Sequence, residues 1–88
     1  MAATSNGFVI VQLSAVDGER GVALVTVNRK DGSTEEWRIS VHHYGASDAW
    51  VRHNCMTIPI AAGDNYSTAL TNEDLNGNPK MVSKFVVI

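Results

Sequence analysis

VALVTVNRKDGSTEEWRISVHH, residues 22–43, is the stretch that decides how this chain folds. Two runs rich in apolar and β-branched residues flank Asp31-Gly32. An Asp-Gly pair between alternating runs is a strong hairpin signal, because a two-residue type I′ turn needs φ > 0 at both central positions. Such a loop sets Lys30 opposite Ser33, and the pairing counts back from there. Thr26 meets Trp37, Leu24 meets Ile39, and Val22 meets Val41. On the other face Val27 meets Glu36, Val25 meets Arg38, and Ala23 meets Ser40. Directly opposed residues share one side of a sheet. This register therefore predicts an apolar interior face carrying Trp37 and a mixed exterior face carrying Arg38, Ser40 and His42. Ala23, Val25 and Val27 leave that exterior more apolar than water requires, which predicts a subunit interface there.

Outward from the hairpin, the pattern stays extended. Met1 to Asn6 is small and polar and is expected to be a loose arm. Phe8 to Val16 reads as a strand, and its start is apolar on both faces, which predicts a central place in a sheet. Asp17 to Gly21 is a turn. Beyond the hairpin, Gly45 to Asp48 is a loop and Trp50 to Ile60 is extended, with Met56, Ile58 and Ile60 facing inward and Thr57 and Pro59 outward. Pro59 has no N–H to donate, which predicts an edge or a bulge. Ala62 to Asn65 turns the chain, and Tyr66, Thr68 and Leu70 alternate after it. Thr71 to Pro79 is loop chemistry with room for one helical turn capped by Thr71 or Asn72. Met81 to Ile88 is a last strand, apolar enough to be expected in a sheet or against another subunit. No segment has a helical period. Five to six strands joined by short turns predict an all-β fold, a small antiparallel β-sandwich or open barrel, with residues 1–88 as a single domain.

Composition narrows the function classes. A chain of 88 residues buries only about 60–65% of its unfolded surface, so further burial in a homo-oligomer is expected. Cys55 is the sole cysteine, which rules out a disulfide framework or a thiolate zinc cluster. Its apolar surroundings in sequence predict a buried, inert thiol. A net charge of −2 and a pI near 5.8 do not suit a nucleic-acid surface, which needs a basic face. No apolar run approaches the roughly 20 residues of a membrane helix. Met1 to Gly7 lacks the basic and apolar regions of a signal peptide. A soluble chain without membrane insertion is the expectation.

His42, His43 and His53 invite a metal reading, yet neighbours on a strand point to opposite faces, so His42 and His43 cannot share one ion. The expectation is no metal, with His43 half-buried and the other two at the surface. Asp74-Leu75-Asn76-Gly77-Asn78 spaces oxygen donors as calcium loops do. It lacks the later acidic ligand, and Lys80 follows closely, so a plain turn is expected and no cofactor. There is no Gly-rich phosphate loop, nucleophile elbow or His-Glu-x-x-His, and the chain reads as a non-enzyme. The richest stretch is HHYGASDAWVR, residues 42–52. Sugars are held by aromatic faces against their C–H surfaces, with charged and amide groups fixing hydroxyls. Tyr44 and Trp50 would supply the platform, Asp48 and Arg52 would orient hydroxyls, and His42 and Arg38 would assist. In the competing structural reading, Trp50 closes one end of the core and Asp48 pairs with Arg52.

The order of features carries a resemblance. A Gly7-Phe8-Val9-Ile10 opening leads to Glu19-Arg20-Gly21 before a Val-rich strand, then His42-His43-Tyr44-Gly45. TIPIAAGDNY follows at residues 57–66, and Gly77-Asn78-Pro79 precedes the last strand. The T-I-P-I-x-x-G-D-x-Y element resembles one found near the C-terminal ends of small β-sandwich modules in phage tail-fibre tips and stand-alone bacterial lectin-like proteins. The likeness covers the second half of the chain, assigns no ligand residues, and lacks the repetitive shaft of a tail fibre. It implies an oligomeric, trimeric module that binds glycans or mediates adhesion. Two expectations follow: a lectin-like module, or a structural subunit of the tail-tip or capsid kind whose role is its own contacts.

Overall fold

The computed structural model describes residues 1–88 and is all-β. Six strands follow one another as β1 (Gly7–Ala15), β2 (Arg20–Asn28), β3 (Thr34–His42), β4 (Arg52–Ile60), β5 (Asn65–Leu70) and β6 (Lys80–Val87). They form two antiparallel three-stranded sheets, ordered β4-β1-β6 and β3-β2-β5, with β1 and β2 at the centres. Alternation decides what faces inward. Val9, Val11, Leu13 and Ala15 of β1 pack against Ala23, Val25 and Val27 of β2, with Ala3, Val41, Ile58, Ile60 and Tyr66 completing the interior. The central place expected for Phe8 to Val11 is observed, as is the edge position expected for Pro59, since β4 pairs with β1 alone.

The hairpin register is displaced by one residue from the sequence expectation. Val25 lies opposite Trp37, Ala23 opposite Ile39, and Leu24 opposite Arg38. The loop holds three residues, not two. The Arg29 amide donates to the Ser33 carbonyl at 2.8 Å, the Gly32 amide donates to the Arg29 carbonyl at 2.9 Å, and only Gly32 takes positive φ, at +96°. This is the turn-plus-bulge loop in which a glycine occupies the left-handed position. Asp31 selects it: Oδ1 accepts both the Ser33 amide and hydroxyl, at 2.9 and 2.7 Å. A shift of one residue exchanges the faces of a strand. Ala23, Val25 and Val27 therefore lie in the core and form no subunit interface, while Arg38, Ser40 and His42 share the outer face with Leu24, Val22 and Arg20. Trp37 keeps its inward side but sits at the sandwich margin, 36% exposed.

Three further expectations are corrected. Cys55 is exposed, because Met56, Ile58 and Ile60 take the inward parity of β4 and its odd-numbered neighbours must face out. Thr71 to Pro79 contains turns and no helix; the Thr71 hydroxyl accepts the Glu73 amide at 3.2 Å. The arm expected to be loose is docked along the chain at 63–66. The Ala3 amide donates to the Asp64 carbonyl, the Gly63 amide to the Ala3 carbonyl, and the Tyr66 amide to the Met1 carbonyl.

One polar network joins the sheets. Asp64, 2% exposed, lies in the β4–β5 turn. Its Oδ2 accepts the Ala61 amide at 2.8 Å and Arg29 Nη1 at 2.9 Å, and its Oδ1 accepts the Lys30 amide at 3.0 Å. Arg29 also donates to the Pro59 carbonyl at 2.8 Å and, through Nε and Nη2, to both oxygens of Glu35 at 3.1 and 2.7 Å. Trp37 Nε1 closes the network on Glu35 at 2.9 Å. The hairpin loop is thus tied to β4 in the opposite sheet. The Ala61 and Lys30 amides, then Arg29, hold the Asp64 carboxyl below its usual value of 3.8.

Asp64→Ala is expected to lower the thermal unfolding midpoint by about 10 °C, since it removes the buried acceptor of two backbone amides and of the half-buried Arg29 guanidinium. Glu73→Ala, which removes an exposed partner of Arg38, is expected to move it by less than about 2 °C. The pH dependence has a defined sign. The folded state binds the Asp64 proton more weakly than the unfolded chain, so its stabilisation is complete above the ordinary carboxylate range and is lost as pH falls below it. Circular dichroism melts from pH 7 to pH 2 check this, with Asp64→Asn expected to flatten the acid limb.

Candidate functional site

The loop between β3 and β4 is fixed from beneath. Gly45 adopts φ +78° and opens a single 3-10 turn over Gly45–Ser47, closed by the Asp48 amide on the Gly45 carbonyl at 2.9 Å. His43 is buried, more deeply than its half-buried expectation. Its Nδ1 accepts the amides of Gly18 and Gly45, both at 3.0 Å, and its own amide donates to the Glu19 carbonyl at 2.9 Å. Two donors on Nδ1 require the ring proton to sit on Nε2. One imidazole thereby fastens the loop to the β1–β2 turn, while His42, its neighbour, faces out as strand geometry demands.

Above this anchor lies an exposed aromatic and cationic cluster. Tyr44 is 65% and Trp50 78% exposed. The His42 ring stacks on Tyr44 with centroids 4.5 Å apart and planes at 28°. The Arg52 guanidinium carbon lies 6.0 Å from the Tyr44 centroid, within cation–π reach. Asp48 sits underneath, its side chain 4% exposed. Its Oδ2 accepts Arg52 Nε at 2.6 Å and its Oδ1 accepts the Trp50 amide at 3.2 Å. The Arg52 hydrogen bond, with the Trp50 amide in support, holds the Asp48 carboxyl below its usual value and in turn raises Arg52. Arg52 spends Nε on Asp48, and its two terminal nitrogens have no hydrogen-bond partner within the chain.

His42, Tyr44 and Arg52 therefore share one exposed surface, Trp50 is exposed on the same loop, and Asp48 positions Arg52 and the Trp50 backbone without facing outward. Of the structural reading, the Asp48–Arg52 pair is present, but Trp50 does not close the core. Arg38 stands apart. It lies four residues up β3 from His42, about 13 Å at strand rise, and its guanidinium is engaged by Glu36 and Glu73. His53 is also elsewhere, on the outer face of β4, with Nδ1 2.8 Å from Ser14 Oγ. In the 71–79 loop, Asp74 accepts Arg20 Nε at 3.0 Å and Asn76 donates to the Gly18 carbonyl at 3.1 Å. These side chains strap the loop to the β1–β2 turn and to the start of β2. No three His, Cys, Asp or Glu side chains converge as a metal site would require.

Sequence reasoning missed the His43 anchor and the Ser14–His53 pair. The first had a signal: Gly18 and Gly45 each sit in a turn whose amides need an acceptor. The second had none, since only strand pairing brings residues 14 and 53 together. Comparison with protein-family models, curated proteins and solved structures found no match.

Asp48→Ala is expected to release the Trp50 amide and the Arg52 side chain while leaving the sandwich folded. Amide exchange at Trp50 should accelerate roughly tenfold or more, with the Val11 and Val25 amides unchanged. Residue-resolved hydrogen exchange by NMR reads this directly.

Proposed function

We propose that this chain is a non-enzymatic, lectin-like carbohydrate-binding module acting as a small homo-oligomer. A sugar lies across Tyr44 and Trp50, Arg52 fixes its hydroxyls, and His42 backs the Tyr44 ring. The observation that carries this reading is the exposure of both aromatic side chains of one anchored loop. Neither serves the core, and both stand on a loop that His43 and Asp48 fix from beneath. Aromatic faces offered beside a guanidinium suit the C–H surface and hydroxyls of a pyranose. Individual sites of this shallow kind bind weakly, and linking several in an oligomer raises avidity without new contacts.

A second reading, a structural or assembly subunit, is favoured by the outer face of the β4-β1-β6 sheet. Phe8 and Val82 are exposed there and Ile10 and Val86 half-exposed, in rows that also hold Pro59 and Cys55. Its contact surface would be this face, since Val25 lies in the core and Arg38 on the outer side of the other sheet.

Glycan-array binding tests the first reading. Trp50→Ala and Tyr44→Ala are each expected to reduce binding at least tenfold, and Arg38→Ala to leave it unchanged. In a Trp37→Phe background, Trp50 becomes the one fluorophore of its type, and its emission should shift blue on adding the bound sugar. An array without signal and unaltered Trp50 emission would dismiss the lectin reading. Sedimentation of Val82→Glu tests the second: dispersal of an oligomer supports it.

A further inference from the structure

Strand pairing assembles a second polar group that the loop does not include. Ser14 lies directly between two cross-strand neighbours, His53 on β4 and Lys80 on β6. Side chains opposed in this way stand on one face with Cβ atoms about 5 Å apart. The three line a notch of about 340 Å³ together with Val51, Asn78 and Glu19. Val51 lines the notch and lies in the chain between Trp50 and Arg52, so the backbone of the aromatic loop runs along the edge of the notch.

The chemistry of the notch is that of a donor set without an anion. Ser14 Oγ and His53 Nδ1 are 2.8 Å apart. If the hydroxyl donates to Nδ1, the ring proton sits on Nε2 and points away from the pair. If Nδ1 carries the proton, the serine hydroxyl is free to donate. Either arrangement leaves one donor available. Lys80 adds an ammonium group with no ion-pair partner; all four arginines carry carboxylates, and none of the three lysines does. Glu19 is the one carboxylate at the notch, and both its oxygens are occupied by backbone amides, of Val16 at 2.9 Å and Asn78 at 3.1 Å. Nine Asp and Glu residues are distributed over the chain, yet β1, β4 and β6 contain none. The face that presents Lys80 and His53 thus has no acidic strand residue to neutralise it.

We infer that Lys80, His53 and Ser14 form an oxyanion subsite that receives the carboxylate or sulfate of an acidic sugar held by the neighbouring Tyr44–Trp50–Arg52 surface. The sugar-borne part rests on the lectin reading; the anion chemistry of the notch does not. The volume admits a carboxylate, sulfate or phosphate group, and the donors are a cation, an imidazole and a hydroxyl, the set that charge-assisted hydrogen bonding to oxyanions uses.

Two arms test it. In the first, inorganic sulfate replaces chloride at constant ionic strength, which holds screening fixed, and NMR follows the His53 ring and the Ser14 and Lys80 amides. Saturable shifts in the wild type, lost in Lys80→Ala, are expected. In the second, glucuronate is compared with glucose, and galactose-6-sulfate with galactose, on wild type, Lys80→Ala and Ser14→Ala. The acidic sugar of at least one pair is expected to bind roughly tenfold tighter, as one charged hydrogen bond supplies. Lys80→Ala should erase that preference and leave neutral-sugar binding intact. Equal binding of acidic and neutral sugars would overturn the inference and spare the lectin reading. Sulfate shifts without binding of any sugar would overturn the sugar-borne source and the lectin reading together. Absence of both responses would remove the subsite altogether.

Discussion

The Asp64 carboxylate fixes where the two ends of the sandwich meet. It is buried, and it receives a guanidinium from the end of β2, an amide from the hairpin loop and an amide from its own turn. A buried charge left without such donors is strongly unfavourable, and breaking a pair of this kind costs far more than forming it returns. Only one docking of the hairpin loop against the β4–β5 turn satisfies all three donors. That docking sets the position of Arg29, which in turn orients Glu35 and through it the Trp37 indole. The inner faces of β2 and β3 then have to meet those of β1 and β4. Positional selection, more than net stability, is what the network contributes.

Alternation made the fold class legible, and it left the register of the central hairpin open. β2 is apolar at both parities: Val22 and Leu24 on one, Ala23, Val25 and Val27 on the other. Thr26 was the discriminating residue. A register that buries Thr26 beside Trp37 places a hydroxyl in the core, whereas the observed one turns it outward and buries three aliphatic side chains. The local turn carried the same information, because a two-residue loop would commit the Ser33 amide to the Lys30 carbonyl, whereas the three-residue loop leaves it for Asp31. Cys55 repeats the lesson on β4, where the inward parity of Ile58 and Ile60 already placed it outside.

The loop from His42 to Arg52 was readable because its members are neighbours in sequence, and the structure brings His42, Tyr44 and Arg52 into contact and leaves Trp50 exposed on the same loop. Arg38 was grouped with them through the assumed face of β3, and its true neighbours are Glu36 and Glu73. Of the two readings of Asp48, orienting hydroxyls or pairing with Arg52, the pairing is observed, and the carboxylate also accepts the Trp50 amide. A short carboxylate four residues before an arginine, in a loop, tends to hold that arginine in place. The Ser14, His53 and Lys80 row lay beyond sequence reasoning, since no local pattern announces that residues so far apart share a row.

The strand order also governs how the chain can fold. Only β2 and β3 are paired with a sequence neighbour; β1 pairs with β4 and β6, so Val9 meets Ile58 and Phe85. Contacts between such distant segments are entropically slow to form. During synthesis β1 leaves the ribosome long before either of its partners exists, carrying Phe8 to Val11 unpaired on both edges. The β2–β3 hairpin is the one unit able to organise at that stage. The sheet built around β1 closes only when β6 arrives, making the interval before that event the period in which a nascent chain is most exposed to chaperones and to its own copies.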